Sequence, residues 1–167
     1  MIKNLKLKIK KLSKNVVLAI DPGYGRCGWA ILEKNNKNKI SLIACDVIVT
    51  NPGVNIPERL LELYEAIAYL IKKYKPNDLA IESLFWFKNK KTAINVAQAR
   101  GVIIVAAKNN NLNVYEYTPL QVKQAVVGYG KATKQQVQVM IKHHLGKSCI
   151  INQDDTSDAV AIGLTHL

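Results

Sequence analysis

Acidic side chains are scarce in this chain. Its 167 residues include 12 aspartates and glutamates against 24 lysines and arginines, a net charge of +12 and a pI near 9.6. So large a charge repels itself and favours a partner that is anionic. Nucleic acid is the leading candidate, ahead of an anionic membrane surface. The few acids that the chain does contain are therefore worth locating.

Long apolar runs and paired cysteines are also missing. No apolar stretch approaches the roughly 20 residues that cross a bilayer, and no secretory signal pattern opens the chain, so we expect a soluble, cytoplasmic protein with no membrane partner. Cys27, Cys45 and Cys149 are odd in number and widely spaced, which excludes a disulfide framework or a zinc site of ordinary spacing. At 49% hydrophobic residues, the chain can bury the core of one domain.

The N-terminal segment differs from the rest. Residues 1–15 carry six lysines and no acid. A run of like charge usually stays solvated, so a flexible basic arm is as good an explanation as an edge strand, and an organelle-targeting peptide is disfavoured because the segment has no arginine. We expect a basic arm over 1–15 and one folded domain over 16–167.

The remainder mixes strands and helices. Residues 16–49 predict three strands in an antiparallel meander, and Pro57 begins an amphipathic helix. Apolar groups surround the second half of a helix at 92–108, which predicts burial on more than one side, by the core or by a partner subunit. The other predicted elements are strands at 78–81 and 114–117, a helix at 119–127, a helix capped by Thr133 with Gln136, and a helix opened by the acids at 154–158.

Lone carboxylates end two of the predicted strands. Asp21 follows an apolar strand and precedes several glycines. A hairpin could use these residues, but the connection from Asp21 to Gly28 is longer than a tight turn needs, which predicts a close approach by backbone or ligand. Glu82 ends a second strand in the same way. Asp155 and Asp158 share a helix face, and three acids within residues 154–158 exceed the needs of a helix cap.

The four carboxylates predict a metal site if they converge. Acids at one sheet edge would repel each other unless a divalent cation neutralised them, and oxygen ligands suit Mg²⁺ or Mn²⁺. In two-ion sites the metals lie about 4 Å apart, where one activates water and the other stabilises the leaving oxygen of a phosphodiester. An acidic site in a basic protein is typical of a nuclease.

Aromatic residues stand directly before a cationic cluster in residues 84–91. Any one of Phe85, Trp86 and Phe87 is best explained by the core, but three in a row cannot all point inward. An exposed aromatic beside lysines suits base stacking next to a phosphate backbone. Three further lysines border the glycine turn at 128–130 and form a basic rim: Lys123, Lys131 and Lys134.

Five sequence segments together resemble the RuvC Holliday-junction resolvases of the ribonuclease H-like fold. The resemblance runs from about Val16 to Leu167. It implies an α/β fold with a five-stranded mixed sheet flanked by helices, a homodimer through helix 92–108, and Mg²⁺-dependent symmetric nicking of opposed strands of a four-way junction, leaving 5′-phosphate and 3′-hydroxyl ends. Two ions per site are expected, with Mn²⁺ substituting. The segments are AIDPG at 19–23, AIE at 80–82, QARGVIIVAA from Gln98, VYEYTPLQVKQAVVGYGKATKQQVQ from Val114 and DDTSDAVAIGLTH from Asp154.

The same resemblance assigns roles by position. Asp154 lies outside the family pattern and is assigned to the helix cap, and Phe85 matches the aromatic that enters the junction centre. The turn at Tyr24–Cys27 and the bulk of Trp86 and Phe87 depart from the pattern, so DNA contacts there are left open, as is a branch-migration helicase partner. The implied metal ligands and catalytic carboxylates are Asp21, Glu82, Asp155 and Asp158; Lys123 and Lys134 are placed near the scissile phosphate; and Lys88, Lys90, Lys91 and Lys131 join them and Phe85 as expected DNA contacts.

Two other functions compete with a nuclease. A non-catalytic, architectural junction-binding protein would use the same basic charge and Phe85, but it would gain nothing from four acids facing phosphates. A sugar-kinase-like or actin-like nucleotide site could use the Asp-Gly hairpin at Asp21. That alternative fails on length, since no second lobe or second phosphate loop is present.

Overall fold

A computed structural model describes residues 15–83, 90–146 and 154–167, with Lys90 and Lys91 described by their backbone alone. Of the predicted basic arm, only Asn15 is described, and it belongs to the first strand. The elements are β1 (Asn15–Asp21), β2 (Arg26–Lys34), β3 (Ile40–Val49), α1 (Ile56–Tyr74), β4 (Asp78–Glu82), α2 (Lys90–Asn109), β5 (Asn113–Tyr117), α3 (Pro119–Val127), α4 (Lys134–Leu145) and α5 (Asp154–His166).

The five strands form one mixed sheet in the order β3-β2-β1-β4-β5. β1 and β2 pair antiparallel, as do β2 and β3, while β1–β4 and β4–β5 are parallel. This arrangement confirms the predicted five-stranded mixed sheet with an antiparallel meander. β1 is central and fully buried from Val17 to Ile20, because helices cover both faces of the sheet.

Alternate residues of β1 face different helices. Leu18 and Ile20 pack with α1 and α2 on one face. Val17 and Ala19 pack with α3, α4 and α5 on the other. This is the period-2 alternation of a strand, and because both faces are covered, β1 contains no polar residue between Asn15 and Asp21.

Two of the predicted helices, α4 and α2, can be compared with the structure. The Thr133–Gln136 capping box begins α4 as predicted. His144, in the last turn of α4, is exposed, and its ring lies 3.2 Å from the Val126 carbonyl oxygen and edge-on to the His143 ring. Among the described residues, one side of α2 packs into the core and Val105 on another side is 54% exposed, so burial of that side by a partner subunit stays a prediction.

In the described ranges no helix is both long and apolar enough to cross a bilayer. Cys27 is a buried, free thiol of β2. Cys149 lies outside the described residues.

Candidate active site

The strands bring Asp21 and Glu82 to the same edge of the sheet. β1 and β4 are parallel neighbours, and Ile20 is paired with Ile81. The next residue of each strand is therefore the carboxylate, and both project from the same end of the sheet. This placement follows from the parallel register alone.

The connection after Asp21 is shorter than the sequence predicted. β2 already begins at Arg26, and Asp21 is paired with Gly28, so the turn consists of residues 22–25. The predicted close approach is confirmed, and it occurs at Gly28. A Cβ added there would lie 2.1 Å from the carbonyl oxygen of Asp155, so the first turn of α5 rests directly on the β2 backbone.

The turn is braced from outside by α1. The Arg59 guanidinium lies 4.8 Å from the centre of the Tyr24 ring and donates a hydrogen bond to Thr50 Oγ1 at 2.9 Å. The Thr50 hydroxyl in turn donates to the Tyr24 carbonyl at 2.6 Å. Tyr24, one of the departures from the family pattern, is thus part of the support for the turn.

Asp21 and Glu82 form a hydrogen-bonded pair of carboxyl groups. Burial, followed by the charges of Glu82 and Asp158, raises the pKa of Asp21 from 3.8 to about 8, and Asp155 adds to the effect. Burial also raises the pKa of Glu82, although its hydrogen bond with Asp21 acts in the opposite direction. The two groups therefore tend to share a proton when no cation is bound.

The two carboxylates on α5 are each held by a basic side chain. Arg26 Nε donates to Asp155 Oδ2 at 2.8 Å, and Lys134 Nζ donates to Asp158 Oδ2 at 3.0 Å. Burial raises the pKa of Asp158 even though Lys134 lowers it. For Lys134, burial acts to lower the pKa, but the Asp158 and Asp154 carboxylates raise it overall.

Asp154 is the first residue of α5, and its side chain is 70% exposed. Its carboxylate accepts a hydrogen bond from Gln138 Nε2 at 3.2 Å and lies 3.6 Å from Lys134 Nζ. It therefore ties α5 to α4 in addition to any role at the helix start.

A cavity of ≈ 250 Å³ opens beside these acids. Glu82 and Asp158 line it together with Lys123 and Lys134, so two of the predicted basic residues face two of the predicted acids. Lys131 lines a neighbouring depression instead. Phe85, Lys88 and the side chains of Lys90 and Lys91 lie outside the described part of the chain, and their predicted DNA contacts stay predictions.

Two further side chains tie helices to the strands of the site, Arg100 at the edge itself and His166 at the opposite end of β4, and sequence reasoning gave neither a role. Arg100 on α2 donates from Nε to the backbone carbonyl of Glu82 at 3.3 Å and forms an ion pair with Glu116 on β5. His166 at the end of α5 bonds Tyr117 Oη and Asp78 Oδ2, at 2.9 Å and 3.2 Å. The partners are far apart in sequence, so no local pattern could have indicated them.

The donor set fits a divalent cation in its chemistry. Four carboxylates in electrostatic contact, two of which share a hydrogen bond, are hard oxygen donors that need positive charge. Within residues 15–83, 90–146 and 154–167, no three acidic, histidine or cysteine side chains yet converge on one point. The acids stand instead as an Asp21–Glu82 pair and two α5 carboxylates held by Arg26 and Lys134.

Comparison with protein families gives one match that spans nearly the whole chain. Residues 17–166 match the family model of crossover junction endodeoxyribonuclease RuvC. Among similar proteins, the RuvC of Fusobacterium nucleatum is 49% identical over 151 residues, covering 90% of this chain and 79% of that protein. The RuvC of Caldanaerobacter subterraneus is also 49% identical, over 90% of both chains.

Solved structures agree with the sequence comparison. Thermus thermophilus RuvC in complex with Holliday junction substrate superposes with a TM-score of 0.85 at 32% identity, covering 90% of this chain and 92% of that one. The yeast mitochondrial Holliday junction resolvase Ydc2 superposes with a TM-score of 0.67 at 16% identity and shows the fold alone.

Proposed function

The chain belongs to the crossover junction endodeoxyribonuclease RuvC family, and on that premise we propose that it resolves four-way DNA junctions by nicking two opposed strands. The observation that carries the proposal is the Asp21–Glu82 pair, which lies at the same edge as two α5 carboxylates and beside a cavity lined by Lys123 and Lys134. This arrangement places carboxylates that can bind a metal ion next to lysine ammonium groups that can bind a phosphate.

Asp21, Glu82, Asp155 and Asp158 would hold Mg²⁺, with Mn²⁺ able to substitute and two ions in each site. Such ions supply Lewis-acid chemistry, because they lower the pKa of water and neutralise charge that develops on phosphoryl oxygens. Hydrolysis in line with the leaving 3′ oxygen would give 5′-phosphate and 3′-hydroxyl ends.

The protein's own groups position the phosphodiester. Lys123 and Lys134 stand on α3 and α4 and line the same cavity as Glu82. Their ammonium groups would attract the scissile phosphate and orient it toward the acids. Lys131, exposed in the turn before α4, would contact a neighbouring phosphate. The rest of the wall is apolar and consists of Pro119, Val122, Val137, Ala161 and Ile162.

A homodimer through α2 would match the twofold symmetry of the substrate. The face of α2 that the chain leaves exposed includes Ile94 and Val105, and a shallow apolar groove between α1 and α2 is lined by Leu61 and Gly101. A closed twofold interface presents the same surface on both subunits, so each site would meet an equivalent phosphate. Val105→Asp should convert the dimer to monomer in sedimentation equilibrium.

An architectural role without catalysis is the second candidate. It is disfavoured because acids at a DNA-binding edge repel the DNA backbone unless they hold cations. Here burial, followed by the charges of Glu82 and Asp158, raises the pKa of Asp21 to about 8. A branch-migration helicase partner and a cytoplasmic location stay predictions from the sequence.

Asp21→Asn tests the catalytic proposal, with Asp46→Asn as its matched control. Asp46 is an exposed residue of β3, where it accepts only from the Val47 amide. We expect Asp21→Asn to slow Mg²⁺-dependent cutting of a synthetic four-way junction by about 1,000-fold, equivalent to about 4 kcal/mol. Binding in a gel shift should be retained, and Asp46→Asn should behave as the wild type. Retained cutting by Asp21→Asn would refute the assignment.

A further inference from the structure

Arg26 is placed on the α5 side of β2 by strand alternation. It lies two residues before Gly28, so both face the same side of the sheet. Gly28 is the position against which the Asp155 backbone rests. Arg26 therefore stands beside the first turn of α5, and its long side chain reaches Asp155, with Nε 2.8 Å from Oδ2.

The ion pair with Arg26 occupies the Asp155 carboxylate, which is one of the four proposed metal ligands. Arg26 is half exposed, at 54%, and the Asp155 side chain is 34% exposed. An arginine keeps its charge at any physiological pH, so the pair does not depend on titration. Exposed ion pairs change a folding equilibrium by a factor of about five or less. This pair is therefore weak enough for a cation to displace.

We propose that Arg26 is a positioning residue that competes with the divalent cation for Asp155. The hydrogen bond from Arg26 Nε occupies Asp155 Oδ2, so a cation that takes this oxygen as a ligand must displace the guanidinium. It thereby raises the cation concentration at which the site assembles. The inference rests on the proposed metal-dependent function.

The direction of the effect follows from charge. A guanidinium within one side chain's reach of a divalent ion repels it, and its hydrogen bond occupies an Asp155 oxygen that the ion would use. Solvent and salt screen this repulsion at an exposed site. Removing the charge should therefore tighten cation binding by about fivefold, not by orders of magnitude.

Mn²⁺ affinity, measured by calorimetry on the full chain without DNA, tests the proposal. We expect Arg26→Gln to bind Mn²⁺ about fivefold more tightly than the wild type, and Arg26→Lys, which keeps the charge, to stay within about twofold. Arg59→Gln is the matched control. Arg59 reaches the same turn from α1 but contacts Tyr24 and Thr50, so its loss should change affinity by less than about twofold.

A second measurement tests the ion pair itself, in chelator. Arg26→Gln and Asp155→Asn, made singly and together, should show a coupling of about two- to fivefold in the unfolding equilibrium. Strictly additive effects would overturn the proposal, as would an unchanged or weakened Mn²⁺ affinity in Arg26→Gln. A wild-type protein that binds no Mn²⁺ would overturn the metal-dependent function as well, so the two failures are distinguishable.

Discussion

Gly28→Ala is the change that most directly probes how the fold sets the active site. A Cβ at this position would lie 2.1 Å from the Asp155 carbonyl oxygen and 2.6 Å from its carbon. To restore an ordinary contact of 3.4 Å, the first turn of α5 must move by about 1.3 Å relative to β2. The obstacle is backbone on both sides, so no side-chain rotation can relieve it.

The expected cost of Gly28→Ala falls on stability and, more heavily, on activity. Overpacking of this kind costs about 1–3 kcal/mol, which corresponds to a fall in Tm of about 2 to 12 °C for a chain of this size. A displacement of about 1 Å in a reacting group can cost about 100-fold in rate. We therefore expect cutting of a four-way junction to fall about 100-fold under conditions where circular dichroism shows a folded protein.

Gly53→Ala is the matched control for this prediction. Gly53 lies between β3 and α1, where an added Cβ would meet nothing closer than Asn51 Oδ1 at 3.2 Å, the end of an exposed side chain. We expect its cutting rate and Tm to stay near those of the wild type. If Gly28→Ala also kept both values, the packing of α5 on β2 would not be what positions Asp155.

Three other changes test separate contacts, two at the site and one at the opposite end of β4. In chelator, the raised pKa of Asp21 contributes stability that is fully present below pH 4 and is lost as the pH rises through about 8. The Tm of the wild type should therefore fall between about pH 5 and 8. If Asp21→Asn showed the same dependence of Tm on pH as the wild type, this prediction would be contradicted. Arg100→Leu removes the hydrogen bond to Glu82 and should cost about 1–3 kcal/mol in urea unfolding, with Arg100→Lys restoring only part because a lysine cannot make both contacts. His166→Phe keeps the ring but loses its bond to Asp78, so we expect a cost of about 1–3 kcal/mol and a lower urea midpoint; an unchanged midpoint would show that this network contributes nothing.

Local patterns were sufficient to predict most elements of the fold. α3 has the predicted bounds and the three-strand meander ends at the predicted residue 49, because periodicity and turn residues specify these ends without reference to the rest of the chain. The turn after Asp21 was predicted too long, since the residues around Gly28 belong to β2 through a pairing register that composition does not encode. The apolar surface of α2 was seen in the sequence, but which side of it the chain itself covers depends on tertiary packing.

The candidate site likewise has a part that the sequence could predict and a part that depends on tertiary packing. Asp21 and Glu82 could be placed together from sequence because each ends a strand, and parallel strands end at one edge. Arg26 and Asp155 are separated by 129 positions, and His166 and Asp78 by 88. Contacts of that range arise only once α5 lies across the sheet, so the sequence showed these residues without indicating their partners.

Cutting of an end-labelled four-way junction tests the assigned function most directly. The wild-type protein should nick two opposed strands at symmetric positions in Mg²⁺, leave a linear duplex of the same arm sequence intact, and do neither in EDTA. Equal cutting of the linear duplex, or cutting of the junction in EDTA, would contradict a metal-dependent junction resolvase.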